Sequence, residues 1–226
     1  TEEKWVFRTD SRMYSSPTVA GDTVYASSQS KLYALNAYSG EKKWSFEPDY
    51  NNINSSATVA DGKVYIGSEG FKNLHALDVS SGEQLWSFAT RGDSEGSPIA
   101  SDGIVYFGSN DGDLYAVDMS SGEEVWSFDA GIEVTSSPTL VDETVYFGSI
   151  NYDEYNLYAV EASSGEEEWK FNAGETINSA PTVANDTVYV GSNGADEDSG
   201  MYAVSASSGE KIWSLKTGVT YFKSPT

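Results

Sequence analysis

Apolar residues along this chain come in short bursts separated by polar turns, and one set of four bursts recurs five times. The first burst follows a Ser/Pro/Thr segment: SSPTV from Ser15, SSATV from Ser55, SPIA from Ser97, SSPTL from Ser136 and SAPTV from Ser179. The second opens on Val-Tyr: VYASS from Val24, VYIGS from Val64, VYFGS from Val105 and Val145, and VYVGS from Val188. The third and fourth lie in LYALNAYSGEKKW, LHALDVSSGEQLW, LYAVDMSSGEEVW, LYAVEASSGEEEW and MYAVSASSGEKIW, which end at Trp44, Trp86, Trp126, Trp169 and Trp213. Counting from Trp5, successive tryptophans are 39, 42, 40, 43 and 44 residues apart.

The turns between bursts fix their order. Gly21-Asp22, Asp61-Gly62, Asp102-Gly103, Asp142-Glu143 and Asn185-Asp186 separate the first burst from the second. Two-residue turns of Asp-Gly type between apolar runs predict hairpins. Before each tryptophan, Gly40, Gly82, Gly122, Gly165 and Gly209 predict a second turn with positive φ. Each unit therefore reads as a four-stranded meander. IVYF and LYAV are continuous apolar runs, the pattern of strands covered on both faces. One such sheet cannot cover both its own faces, but a neighbour on each side can. Repeats of this length predict an all-β propeller of four-stranded antiparallel blades. An open solenoid or a large sandwich is the alternative.

The predicted blades cover 13–48, 53–90, 95–130, 135–173 and 178–217 within a single domain, 1–226. Residues 1–9 read as a lone fourth strand and 218–226 as the start of another first strand. Three readings follow: a fragment of a larger propeller, a propeller completed by a neighbouring chain, or a closed five-blade ring.

The run Ala-x-Asp-x-x-Ser-Gly-x-x-x-Trp, led by an apolar-Tyr pair, resembles the pyrroloquinoline-quinone-like repeat. That repeat occurs in quinoprotein dehydrogenases and in the propeller lipoprotein of the bacterial outer-membrane barrel-assembly machinery. Here its alanine column is Ala34, Ala76, Ala116, Ala159 and Ala203, and its acidic column drifts through Asn36, Asp78, Asp118, Glu161 and Ser205. The resemblance implies that each tryptophan docks between adjacent blades, over the small alanine and the glycine turn. Trp44, Trp86, Trp126, Trp169 and Trp213 are thus expected to pack rather than to stack on a cofactor. It does not imply the quinone. The dehydrogenases hold it against a ring formed by a disulfide of adjacent cysteines, with calcium ligands and a catalytic Asp nearby. This chain has no cysteine, and no position matches those residues. Neither a quinone cofactor nor a catalytic residue is carried over.

Charge narrows the partners. Thirty-five Asp and Glu against 13 Lys and Arg leave a formal charge of −22. Such a surface repels phosphates, which argues against nucleic acid. It also repels itself at low salt, and at 1 M the Debye length falls to about 3 Å. The balance points to a salt-adapted source, a halophilic archaeon. No apolar stretch approaches the roughly 20 residues of a membrane helix. The absence of cysteine excludes disulfides, thiolate chemistry and cysteine-based zinc sites. The single histidine, His75, occupies the column of Tyr33, Tyr115, Tyr158 and Tyr202 and reads as a core substitution.

In a four-stranded meander the first–second and third–fourth turns share one face, and these are short and uniform. The second–third and fourth–first loops share the other face and vary in length. Binding residues concentrate on loops carried by a rigid scaffold. The candidate anchors on that face are Tyr50, Phe71, Arg91, Tyr152, Tyr155 and Tyr221. Asp196, Glu197 and Asp198 are weak calcium candidates, since hard cations want clustered oxygens; a solvated acidic loop is the plainer reading. Arg91-Gly92-Asp93 matches an adhesion tripeptide of a kind that arises by chance. No nucleophile has a candidate base. The expected function is a non-catalytic, exported or cell-surface scaffold that binds a protein partner. A self-assembling surface or filament subunit is the alternative, and a quinone-dependent dehydrogenase ranks last.

Overall fold

The computed structural model of the chain describes residues 3–49, 52–70, 74–151, 154–193 and 200–216. Tyr50, Phe71, Tyr152, Tyr221, Asp196, Glu197, Asp198 and segment 218–226 lie outside the described residues.

Each unit is one antiparallel sheet in which sequence order is spatial order. Blade I consists of β1 (Thr18–Ala20), β2 (Thr23–Ser27), β3 (Leu32–Asn36) and β4 (Lys42–Phe46). Blades II to V repeat this plan over 58–88, 99–129, 139–172 and 182–216. The hairpin turns explain the tight first–second connection. Asp61 and Gly62 both take positive φ, as do Asn185 and Asp186, the conformation that matches a two-residue turn to strand twist.

First strands form the hub. Thr18 and Thr139 donate their hydroxyls to the Ala57 and Pro181 carbonyls of the next blade, each at 2.6 Å. The N–H groups of Ser16, Ser56 and Ser97 donate to Oγ of Ser56, Ser97 and Ser137 at 3.1, 2.8 and 2.8 Å. Second and third strands carry the core: Tyr25, Tyr65, Phe107, Phe147, Leu114 and Leu157 are fully buried. Fourth strands are the outer rim, with most of their residues exposed.

The seam between blades is an aromatic lock. The tryptophans of blades I to IV each donate Nε1–H to a carbonyl of the following blade: Trp44 to Val79, Trp86 to Met119, Trp126 to Ala162 and Trp169 to Ala206, at 2.7–3.1 Å. Two residues on, a phenylalanine meets the third-strand aromatic of the same following blade. Phe88–Tyr115, Phe128–Tyr158 and Phe171–Tyr202 have ring centroids 5.3–5.4 Å apart. Phe46 meets His75 in the same way, and the buried imidazole lies 3.0 Å from Ser68 Oγ and 2.9 Å from Gln84 Oε1. Residues 3–9 belong to no ladder, yet Trp5 donates to the Ala37 carbonyl at 3.0 Å and Phe7 meets Tyr33. Trp213 on blade V is 42% exposed, beside exposed Ile212 and Leu215.

Candidate functional site: the axial mouth of the loop face

The residue just before the Ser/Pro/Thr segment, or before Gly96 in blade III where glycine holds the place of the first serine, is the last of each fourth–first loop, and the hub geometry turns these residues toward one another. Tyr14, Asn54, Glu95, Thr135 and Asn178 come from five consecutive blade starts. Together with Gln29 they line an open cavity of about 590 Å³ at the axis, on the loop face. Four residue types at five positions replace one repeated residue, with asparagine alone used twice, so the scaffold is periodic and the lining is not.

The lining is held by its surroundings. Glu69, on the second–third loop of blade II, accepts from Asn52 Nδ2 at 2.6 Å and from Asn54 Nδ2 at 2.7 Å. Thr135 donates to Asn178 Oδ1 at 3.0 Å. A wider rule is visible here: each second–third loop is tied to the fourth–first loop leading into its own blade. Asp10 accepts from Ser28 and Ser30. Glu133 bridges Ile150, and Thr176 bridges Asn193. Variable loops are therefore fastened in pairs.

Blade III has the most acidic version. The Tyr115 hydroxyl donates to Asp111 Oδ2 at 2.9 Å and to Asp113 Oδ2 at 3.2 Å. Burial, then these two carboxylates, push the phenol far above its usual range. Burial also pushes the Asp113 carboxyl up, against the Tyr115 hydrogen bond. At Asp10 the balance reverses: hydrogen bonds from Tyr33, Lys31, Ser30 and Ser28 outweigh desolvation and hold the carboxyl far below the usual range.

Of the anchors read from the sequence, Arg91 and Tyr155 fall within the described residues. The Arg91 side chain is 83% exposed, 3.6 Å from Asp113, while its N–H donates to Asp111. Gly92 packs against Asn110 and Asp111, and Asp93 accepts from the Gly70 N–H. The tripeptide is thus part of a loop junction. Tyr155 is half-buried in the long hairpin of blade IV, paired with Ile150. These two residues stand on different blades and do not form the axial lining. The lining residues escape a reading of the sequence because each is a single polar residue at a loop end. Their shared register before Ser/Pro/Thr is the signal that could have found them.

The model of the family described as outer membrane protein assembly factor BamB matches residues 1–57, 51–151 and 151–223. The chain belongs to that family. Its fold is similar to that of BamB from Moraxella catarrhalis, with 25% identity and a TM-score of 0.77, over 94% of this chain and 64% of that one. The BamB-family chain thus spans under two thirds of that relative's length. It is also similar to the quinohemoprotein alcohol dehydrogenase of Comamonas testosteroni (16% identity, TM-score 0.78, 91% of this chain, 43% of that one). A computationally designed protein, Ika8, is similar too (15% identity, TM-score 0.80, 93% and 64%). At those identities the likeness concerns the fold alone. A search of the curated proteins finds no match. Among the described residues, no helix is long and apolar enough to cross a membrane.

Proposed function

We propose that this BamB-family propeller is a non-catalytic interaction scaffold, exported or displayed at the cell surface, whose protein partner docks on the loop face over the axial mouth. The observation that carries this reading is the axial lining: one side chain from each blade start, of four residue types at five positions, with Asn54 locked by Glu69. Pre-positioned polar groups lower the ordering cost of binding. Elsewhere on the loop face, Arg91 and Tyr155 offer residue types enriched in binding hot spots.

The quinone of the related dehydrogenases fits this mouth poorly. It is a tricarboxylate, while among the described residues the lining includes Glu95 and no lysine, arginine or histidine. The net charge of −22 opposes it further.

Photo-cross-linkers at Asn54 and Asn178 are expected to trap one discrete protein species, whereas one at Leu85 on the outer rim traps none. Equal labelling from all three positions would sink the proposal. So would alcohol oxidation on adding the quinone and calcium. A second reading is favoured by exposed Trp213, Ile212 and Leu215: a blade of a neighbouring chain seats there, as blade II seats on Trp44. Light scattering separates the two, since a monodisperse monomer excludes assembly.

A further inference from the structure

On the opposite face, grooves between neighbouring blades carry an acidic rim. Register explains how they arise. In blade I Ala34 pairs with Trp44 but Leu35 pairs with Lys42; in blade IV Ala159 pairs with Trp169 but Val160 pairs with Glu167. The skipped residue, just before the tryptophan, is a β-bulge, a device that re-aims a side chain. It is Lys43 in blade I, Val125 in blade III and Glu168 in blade IV.

Blade I contains a built-in example of what this position can do. The Lys43 ammonium donates to Asp22 Oδ1 and Thr23 Oγ1, both at 2.7 Å. Blade IV has the same frame with the opposite charge. Thr144, in the place of Thr23, donates to Glu168 Oε2 at 3.2 Å. Both line a cavity of about 390 Å³ between blades IV and V, floored by Tyr146 and Val183 and rimmed by Asp142 and Asp186. After burial itself, Glu168, Asp186 and Asp142 all push the Tyr146 phenol up, so three carboxylates act on one floor hydroxyl. The groove between blades III and IV, about 370 Å³, repeats the design with Tyr106 and Leu140 below Asp102, Asp142, Glu143 and Glu161. Asp142 belongs to both grooves, and among the described residues neither lining includes a lysine, arginine or histidine.

We propose that these two adjoining grooves dock basic side chains of a partner protein. A lysine or arginine stem lies on the tyrosine and aliphatic floor, and its cation sits among Asp142, Glu168 and Asp186. A second basic residue of the same segment reaches Asp102, Glu143 and Glu161. Long basic side chains match such a site because they bury the stem and keep the head among polar partners. Their charge-assisted hydrogen bonds are the stronger kind, and the acidic field steers them in. A protein segment suits the grooves better than a bare metal ion, which would leave the apolar floor unmatched. This surface is independent of the axial mouth.

The probe is the capped peptide Gly-Lys-Gly-Lys-Gly, titrated at low salt by heteronuclear NMR, with a norleucine version as control. Shift changes are expected at the hairpins 142–143 and 185–186. Glu168→Gln and Asp142→Asn should each weaken binding about tenfold. Glu168→Lys, copying Lys43, should fill its groove and abolish the shifts at 185–186 while circular dichroism stays unchanged. Asp49→Asn, on the loop face, should leave affinity as it was. No binding of the lysine peptide, equal binding of the norleucine peptide, or undiminished shifts at 185–186 in Glu168→Lys would each overturn the proposal. Equal weakening by Asp49→Asn would also overturn it, because the attraction would then belong to the whole acidic surface.

Discussion

The indole of Trp44 sits so close to Gly82 in the next blade that a Cβ there would stand 2.5 Å from Cε3. Its Nε1–H meanwhile reaches the Val79 carbonyl at 3.1 Å. Trp86–Gly122, Trp126–Gly165 and Trp169–Gly209 repeat the relationship. The glycine thus has two tasks, a left-handed turn and a seat for the neighbour's ring. That is why the Gly and Trp columns travel together in the sequence although they touch across a blade boundary.

Gly82→Ala should accordingly cost more than Gly62→Ala. Both positions have φ near the left-handed region, +73° and +71°, but a methyl added at Gly62 would meet nothing within 4 Å. Gly62→Ala then carries only the backbone strain, about 1–2 kcal/mol. Gly82→Ala adds displacement of the indole, for about 2–4 kcal/mol in all. Urea midpoints compare them. Equal losses would mean that the indole seat contributes nothing.

How much of this was legible in the sequence follows from the range of each signal. Hairpins such as Asp61-Gly62 are local and could be read directly. Burial of IVYF and LYAV on both faces was also legible, because an apolar run without alternation leaves no solvent side. The axial lining was not. Among Tyr14, Asn54, Glu95, Thr135 and Asn178 only the two asparagines share a residue type, and the five converge only once the hub is assembled. The bulge before each tryptophan was equally silent: Lys43 and Glu168 look like ordinary rim charges until register turns them toward a groove. Strand order was local information; contacts across blades were not.

Ser55 offers a second test of the hub. Its buried hydroxyl accepts from the Gly67 N–H at 2.7 Å and donates to the Gly67 carbonyl at 3.0 Å, serving both groups at the end of the second strand. Ser55→Ala strands both and should cost about 2–4 kcal/mol. Ser56→Ala, which loses one bond from the Ser16 N–H at 3.1 Å, should cost about 1 kcal/mol. Thermal unfolding of the two variants decides, and the order must not invert.

The acidic column predicts a pH response. Asp118 Oδ1 accepts from the N–H and hydroxyl groups of Ser120 and Ser121, which holds its pKa down at about 2 against the usual 3.8; Asp78 does the same with Ser80 and Ser81. A depressed folded-state pKa adds stability above the unfolded value and loses it as pH falls through the folded one. Melting temperature should therefore drop between about pH 4 and pH 2. Asp78→Asn with Asp118→Asn keeps the acceptor oxygen but removes the titration, so the drop should be shallower. An unchanged slope would exclude these turns as its source.

Salt should stabilise this propeller. A charge of −22 stands against five ion pairs among the described residues. Exposed pairs of this kind contribute about 0–1 kcal/mol each, so their loss to screening is small. Relief of carboxylate repulsion works in the other direction and acts on many more groups. Going from about 0.1 M to 1 M NaCl shortens the Debye length from about 10 Å to about 3 Å. Melting temperature should rise across that range. Replacing Asp61, Asp102 and Asp142 by Asn separates this effect from general salting-out, because Asn tolerates the positive φ of 47°, 51° and 52° found there. The triple variant should melt higher than the parent at low salt and respond less to NaCl. If it melts lower, or if the parent's melting temperature falls as salt is added, repulsion among these carboxylates is not what limits the fold.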